Sequence, residues 1–84
     1  MDAILGAIKA ILTEEGYESQ FDSRLIPPRL LLPHKSETLS IHVDDETLIL
    51  EQWCCKRNRP LFSRSLSDPN VVDALMKAVH EYCK

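Results

Sequence analysis

Six cysteine and histidine side chains in the sequence could bind a metal ion. No two of them form a C-x-x-C or H-x-x-x-H pair, the spacings that bring two ligands to one ion. Two of the cysteines are adjacent, and adjacent side chains of a strand point to opposite faces, so they do not readily chelate one ion. We predict no metal site and no cofactor, and we interpret one of the adjacent pair as a small buried hydrophobe. The six residues are Cys54, Cys55, Cys83, His34, His42 and His80.

Ser40, His42 and Asp44 have the side-chain types of a hydrolytic triad and occupy every second position. On a strand this parity places all three on one face. Neighbours of equal parity are about 7 Å apart, however, which is too far for direct hydrogen bonds between them. The two glycines, Gly6 and Gly16, both belong to the first predicted helix, so no glycine-rich loop cradles a phosphate. We therefore predict polar residues on a hydrated sheet face and a protein that is not an enzyme.

The positive charge of the chain is concentrated at Lys56, Arg57, Arg59 and Arg64, close to Trp53. Cations next to an exposed aromatic ring are typical of surfaces that contact phosphates and stack bases. The whole chain has the opposite balance, with 10 Lys and Arg against 13 Asp and Glu and a net charge of −3. Nucleic-acid binding through these five residues is therefore the alternative function, after protein binding.

The bulk composition indicates an ordinary globular protein. With 84 residues there is room for one domain, 1–84, and one core. Hydrophobic content is 44% and charged content 27%, which excludes the composition of a disordered chain. An odd number of cysteines does not fit a disulfide framework, and "MDAILGAIKAIL" lacks the basic start of a signal peptide. We expect a cytoplasmic protein without membrane contact.

Hydrophobic spacing predicts a helix at each end of the chain. The first covers 2–15 and ends at Gly16, which can adopt the left-handed conformation. The second begins at "SDPN", with Asp68 as the N-cap and Pro69 as the first helical residue. The two apolar stripes that define these helices contain Ile4, Leu5, Ile8, Ile11 and Leu12, and Val72, Leu75, Met76, Val79 and Tyr82.

Alternating patterns predict strands between the helices. Residues 17–25 alternate first, "ETLSIHVDDETLILEQWCC" reads as a hairpin with an acidic turn, and 61–66 form a further strand. The segment "RLIPPRLLLPHK" holds three prolines and is predicted to interrupt the sheet. The predicted class is α+β: a two-layer fold with an antiparallel sheet of three to four strands and two terminal helices on one face, in the order α-β-β-β-β-α.

The return strand of the hairpin carries apolar side chains on both faces. If Leu48 and Leu50 face the helices, then Ile49 and Trp53 point away from them. The leucines of the proline segment either cover this second face within the chain or contact another molecule. Because exposed apolar patches mark interfaces, we predict a small intracellular binding module that acts through protein–protein contacts and self-association, without a small-molecule substrate. The predicted contact residues are Ile49, Trp53, Leu30, Leu31 and Leu32.

Overall fold

The computed structural model describes residues 2–24, 28–35, 37–53 and 58–83. The strands form one antiparallel sheet in chain order, β1-β2-β3-β4-β5. The α+β class, with helices at both termini, is confirmed, although the sheet has five strands where we predicted three or four. The elements are α1 (Asp2–Glu14), β1 (Gln20–Asp22), β2 (Arg29–His34), β3 (Glu37–Asp44), β4 (Thr47–Trp53), β5 (Arg59–Ser65) and α2 (Val71–Tyr82).

One hydrophobic core lies between the two helices and one face of the sheet. Within each of the three central strands the buried apolar residues share one parity, so the alternate side chains point away from the helices. Burying one such side chain contributes roughly 1.5–3 kcal/mol to folding. We call the opposite side of the sheet the outer face. The buried core residues are Leu5, Ile8, Leu12, Leu30, Leu32, Leu39, Ile41, Leu48, Leu50, Val71, Leu75, Met76 and Val79.

Helix α1 ends in a hydrogen-bonded motif centred on a glycine. Gly16 has a φ of 91°, and its N–H donates to the Thr13 carbonyl. The N–H of Tyr17 donates to the Leu12 carbonyl at 2.9 Å, which completes a Schellman motif. Because Tyr17 belongs to this motif, β1 begins only at Gln20 and is shorter than the predicted strand over 17–25.

The proline segment contains strand β2, contrary to our prediction of an interruption. Arg29–His34 pairs with β3 from Leu30 opposite Ile41 to His34 opposite Glu37. Strand β1 pairs only with the first three residues of β2, so at Pro33 strand β2 is the edge of the sheet, where a proline is tolerated.

Helix α2 begins two residues later than we predicted. Its N-cap is Asn70, and Val71 is its first residue. Asp68 acts in the turn before the helix instead, because its Oδ1 accepts a hydrogen bond from the Asn70 N–H at 2.9 Å. The side chain of Asp68 also pairs with Arg64 at 3.2 Å, which connects β5 to the start of α2.

The hairpin of β3 and β4 has a two-residue turn with left-handed backbone. Asp44 pairs with Thr47, and the intervening Asp45 and Glu46 have φ values of 49° and 59°. This geometry is that of a type I′ turn, which matches the twist of the strands. The predicted hairpin is confirmed even though the sequence lacks the Asn-Gly or Asp-Gly pair that usually marks such a turn.

Candidate interaction surface

The outer face is defined by the register of strands β2 to β4. Ser40 pairs with Leu31 on one side and with Glu51 on the other, so these three lie in one row across the sheet. His42 pairs with Ile49 in the next row, and Thr38 pairs with Trp53. Cross-strand partners share a face, and each of these residues has the parity opposite to the buried leucines of its strand.

A cluster of polar side chains occupies the middle of the outer face. Arg29 Nη1 donates to Ser40 Oγ at 3.0 Å and to Glu51 Oε1 at 3.0 Å. The same nitrogen lies 3.4 Å from His42 Nδ1, and that ring atom is 3.7 Å from Glu51 Oε1. We call Arg29, Ser40, His42 and Glu51 the Arg29 cluster.

The Arg29 cluster is buried, although neither helix packs on this side of the sheet. Ser40 is 0% exposed and His42 5%, and the side chains of Arg29 and Glu51 are 15% and 17% exposed. Arg29 Cζ lies over the Trp53 ring at 5.4 Å from its centre, so its guanidinium makes a cation–π contact with the indole as well as contacts with the polar side chains of the strands. The half-buried side chains of Leu31, Ile49 and Trp53 accompany the cluster, and we call these three the apolar ring.

The electrostatics of the cluster favour a neutral histidine. Burial lowers the pKa of His42 below its ordinary value of 6.5, and the adjacent Arg29 lowers it further. Glu51 and Asp44 act in the opposite direction and only partly offset these two effects. Because Nδ1 faces the Arg29 donor, we assign the proton of the neutral ring to Nε2. The charges of Arg29 and Glu51 then cancel within the cluster.

The arrangement gives no support to a triad of Ser40, His42 and Asp44. Ser40 Oγ and His42 Nδ1 each contact the same guanidinium nitrogen of Arg29, whereas a triad needs a hydrogen bond between the serine and the histidine. Asp44 is exposed at the end of β3. In this geometry the polar residues act as acceptors for the guanidinium of Arg29.

The predicted contact residues divide between the two faces. Leu31, Ile49 and Trp53 lie on the outer face, and their role in binding stays a prediction. The placement of Leu30 and Leu32 outside the core is wrong, because they are 0% and 1% exposed beneath the helices. The physical reason is the alternation of β2, which turns the first and third leucine inward and the second outward.

The structure does not bring the described basic residues together with Trp53. Arg64 pairs in register with the core residue Leu48, and Arg59 pairs with Gln52, so both lie on the helix side of the sheet. Arg64 Nη1 binds Asp68, and its Cζ lies 5.9 Å from the centre of the Phe62 ring. Lys56 and Arg57, the other two residues of the nucleic-acid alternative, lie outside the described residues.

Within the described ranges, no metal-binding group and no reactive thiol adjoins the Arg29 cluster. In the described ranges no group of three His, Cys, Asp or Glu side chains could hold a metal ion, and Cys54 and Cys55 lie outside them. Cys83 is a free thiol whose pKa is raised by burial. A depression of about 510 Å³ lies beside α2, on the helix side, and its lining includes Arg64, Asp73 and Lys77.

Arg29 organises the outer face through Glu51, yet neither residue is among the contact residues predicted from the sequence. Arg29 stands directly after two prolines, and we treated that stretch as an interruption of the sheet. The available signal was parity: in a strand that begins at Arg29, residues 29 and 31 share the face that residues 40 and 42 occupy on β3.

Comparison with known proteins identified no matching family model, no matching curated protein and no matching solved structure. Within the residues described, neither helix has the length and apolar character needed to cross a membrane.

Proposed function

We propose that this protein is a non-enzymatic interaction module that self-associates through the outer face of its sheet. The observation that carries the proposal is a buried polar cluster of zero net charge next to Leu31, Ile49 and Trp53. Neither helix covers this side of the sheet. Open faces of antiparallel sheets are usually hydrated and polar. Here the central polar groups are already satisfied and the side chains beside them are apolar.

Covering this face has a small electrostatic cost. An unpaired charge that enters an interface loses its hydration, which is expensive. Arg29 and Glu51 are already paired at 3.0 Å and more than four-fifths buried, so most of their hydration is lost in the single molecule. A partner that covers the apolar ring buries the surface of these three half-buried side chains that is still exposed. Each Å² of apolar surface buried in this way contributes about 25 cal/mol to association.

A second copy of the chain fits this face in both size and charge. Five strands about 4.8 Å apart and about six residues long on average present a face of roughly 500 Å². Two such faces bury about 1,000 Å² together, which reaches the roughly 1,000 Å² expected of a specific interface. A twofold axis through the face lets Arg29 of one copy approach Glu51 of the other, while the apolar rings meet.

Ile49→Lys tests the proposal, because it places a charge in the apolar ring. We expect association to weaken by roughly tenfold or more when measured by sedimentation equilibrium up to about 1 mM protein. Phe21→Lys is the matched control, since Phe21 is 37% exposed and shares a face with the core residue Leu30, its partner in register. Its association should match that of the wild type.

Two results would contradict the proposal. The first is a wild-type protein that remains a monomer at about 1 mM, and the second is equal weakening by Phe21→Lys and Ile49→Lys. A titration with single-stranded and duplex oligonucleotides at low salt examines the alternative. Salt-dependent binding that is lost when Lys56, Arg57, Arg59 and Arg64 become alanine would favour nucleic acid as the partner.

A further inference from the structure

We propose that His42 makes the self-association pH-dependent, so that copies associate while its imidazole is neutral and separate when it is protonated. This inference rests on the proposed function, because it concerns the same face. Three acceptors surround a single nitrogen of Arg29, and one of them, His42 Nδ1, lies 3.4 Å from that nitrogen.

Every neighbouring element contributes to the charge that surrounds His42. Strand β2 contributes Arg29, strand β4 contributes Glu51, and the ring's own strand contributes Asp44. Asp22 on β1 pairs in register with Arg29, and its carboxylate is bound by Arg24. Among the described residues, His42 therefore has one cation in direct contact and one carboxylate that this cation already occupies, whereas Asp44 is exposed at the end of the strand and Asp22 is paired with Arg24.

Protonation of His42 places a hydrogen on Nδ1, where the lone pair faced Arg29. Two donors then oppose each other across 3.4 Å, and both groups are positive. The imidazolium can turn to Glu51 Oε1 at 3.7 Å, but it then competes with Arg29 for the same carboxylate oxygen. In either arrangement the cluster changes from zero net charge to +1.

A face-to-face dimer contains the Arg29 cluster twice. Two protonated histidines therefore bring a charge of +2 into a surface from which the partner excludes water. A buried charge without a counter-ion is strongly unfavourable, so each copy has to release its proton before it associates. By linkage, association must also lower the pKa of His42 below its value in the separate molecule.

The test is the dissociation constant of the full chain measured by sedimentation equilibrium from about pH 7.5 to about pH 5. Each dimer releases up to two protons where His42 of the separate chains is protonated, so we expect the wild-type constant to increase severalfold, mainly at the acidic end of this range. His42→Asn keeps an acceptor oxygen near the position of Nδ1 and does not titrate, so its constant should change little. His80→Asn is the control, since His80 contacts Tyr17 and Glu15 on the helix side, and it should retain the wild-type dependence.

A second measurement uses the wild-type chain and does not depend on the folding of a variant. The pKa of His42, followed by NMR of its ring C–H signals, should be lower at concentrations that favour the dimer than at dilution. A dimer with the same constant and the same His42 pKa under all conditions would overturn this inference and leave self-association intact. A monomer at every pH would overturn both proposals.

Discussion

One guanidinium nitrogen of Arg29 carries two hydrogens and faces three acceptors. The shorter contacts go to Ser40 and Glu51, both at 3.0 Å, and the longer one goes to His42 at 3.4 Å. Ser40 and His42 are almost fully buried and Glu51 is largely buried, so these acceptors have little access to water. They therefore rely on Arg29 for hydrogen bonds. The outer face is therefore sensitive to the loss of this one side chain.

Arg29→Met keeps the aliphatic stem and removes the donor. We expect the free energy of unfolding to fall by about 2–4 kcal/mol, because a buried carboxylate and a buried hydroxyl lose their partner. Urea denaturation at concentrations that favour the monomer measures this change. Arg29→Met combined with Glu51→Leu removes both charges, and we expect it to recover at least half of the loss. A double variant with the full sum of the two single losses would show that the pair is not coupled.

At the scale of the elements, the β3–β4 turn has the backbone conformation that matches the twist of the strands, but one of its two residues is of a type that disfavours this conformation. Asp and Asn tolerate positive φ better than most residues, but Glu46 has no such advantage at its φ of 59°. The hairpin nevertheless pairs over seven residues on each strand. Tertiary packing of that hairpin therefore overrides an unfavourable local conformation.

Glu46→Gly should stabilise the protein by roughly 0.5–1 kcal/mol, because glycine adopts positive φ without a steric penalty. Thermal and urea unfolding measure the change. Glu14→Gly is the control: Glu14 is also exposed but belongs to α1, so the same replacement should lower stability by up to about 1 kcal/mol. Equal effects of the two substitutions would show that the backbone conformation of Glu46 is not strained.

The elements that could be predicted from the sequence are those whose two faces differ in chemistry. Strand β3 alternates Leu39 and Ile41 with Ser40 and His42, so its parity is readable, and the helices show clear apolar stripes. Strand β2 was missed because Leu30, Leu31 and Leu32 are identical in type. Period two cannot be seen without contrast between faces, and the neighbouring prolines reinforced the wrong interpretation.

The candidate site was predictable only in part, for a related reason. The parity of β4 places Ile49 and Trp53 on the face away from the helices. The Arg29 cluster instead needs the register between β2, β3 and β4, and residues 29 and 51 are 22 positions apart in sequence. Local patterns carry no information about a pairing that depends on which strands are neighbours.

At the scale of the whole molecule, substitutions of two adjacent leucines should have separate effects, one on stability and the other on association. Leu30 is fully buried in the core, whereas Leu31 belongs to the apolar ring on the opposite face. Leu30→Ala should lower the free energy of unfolding by about 2–5 kcal/mol through the cavity that it leaves, with no direct effect on the outer face. Leu31→Ala should cost about 1 kcal/mol or less in the monomer and weaken association severalfold.

Urea denaturation at dilution measures the first quantity, and sedimentation equilibrium on the folded fraction measures the second. The two substitutions remove the same atoms from neighbouring positions of one strand, so each is the matched control for the other. Successive residues of β2 point to opposite faces of the sheet. Moving the substitution by one position therefore exchanges an effect on stability for an effect on association. If Leu30→Ala weakened association more than Leu31→Ala at equal folded concentration, the surface that joins two copies would have to include the helix side of the sheet.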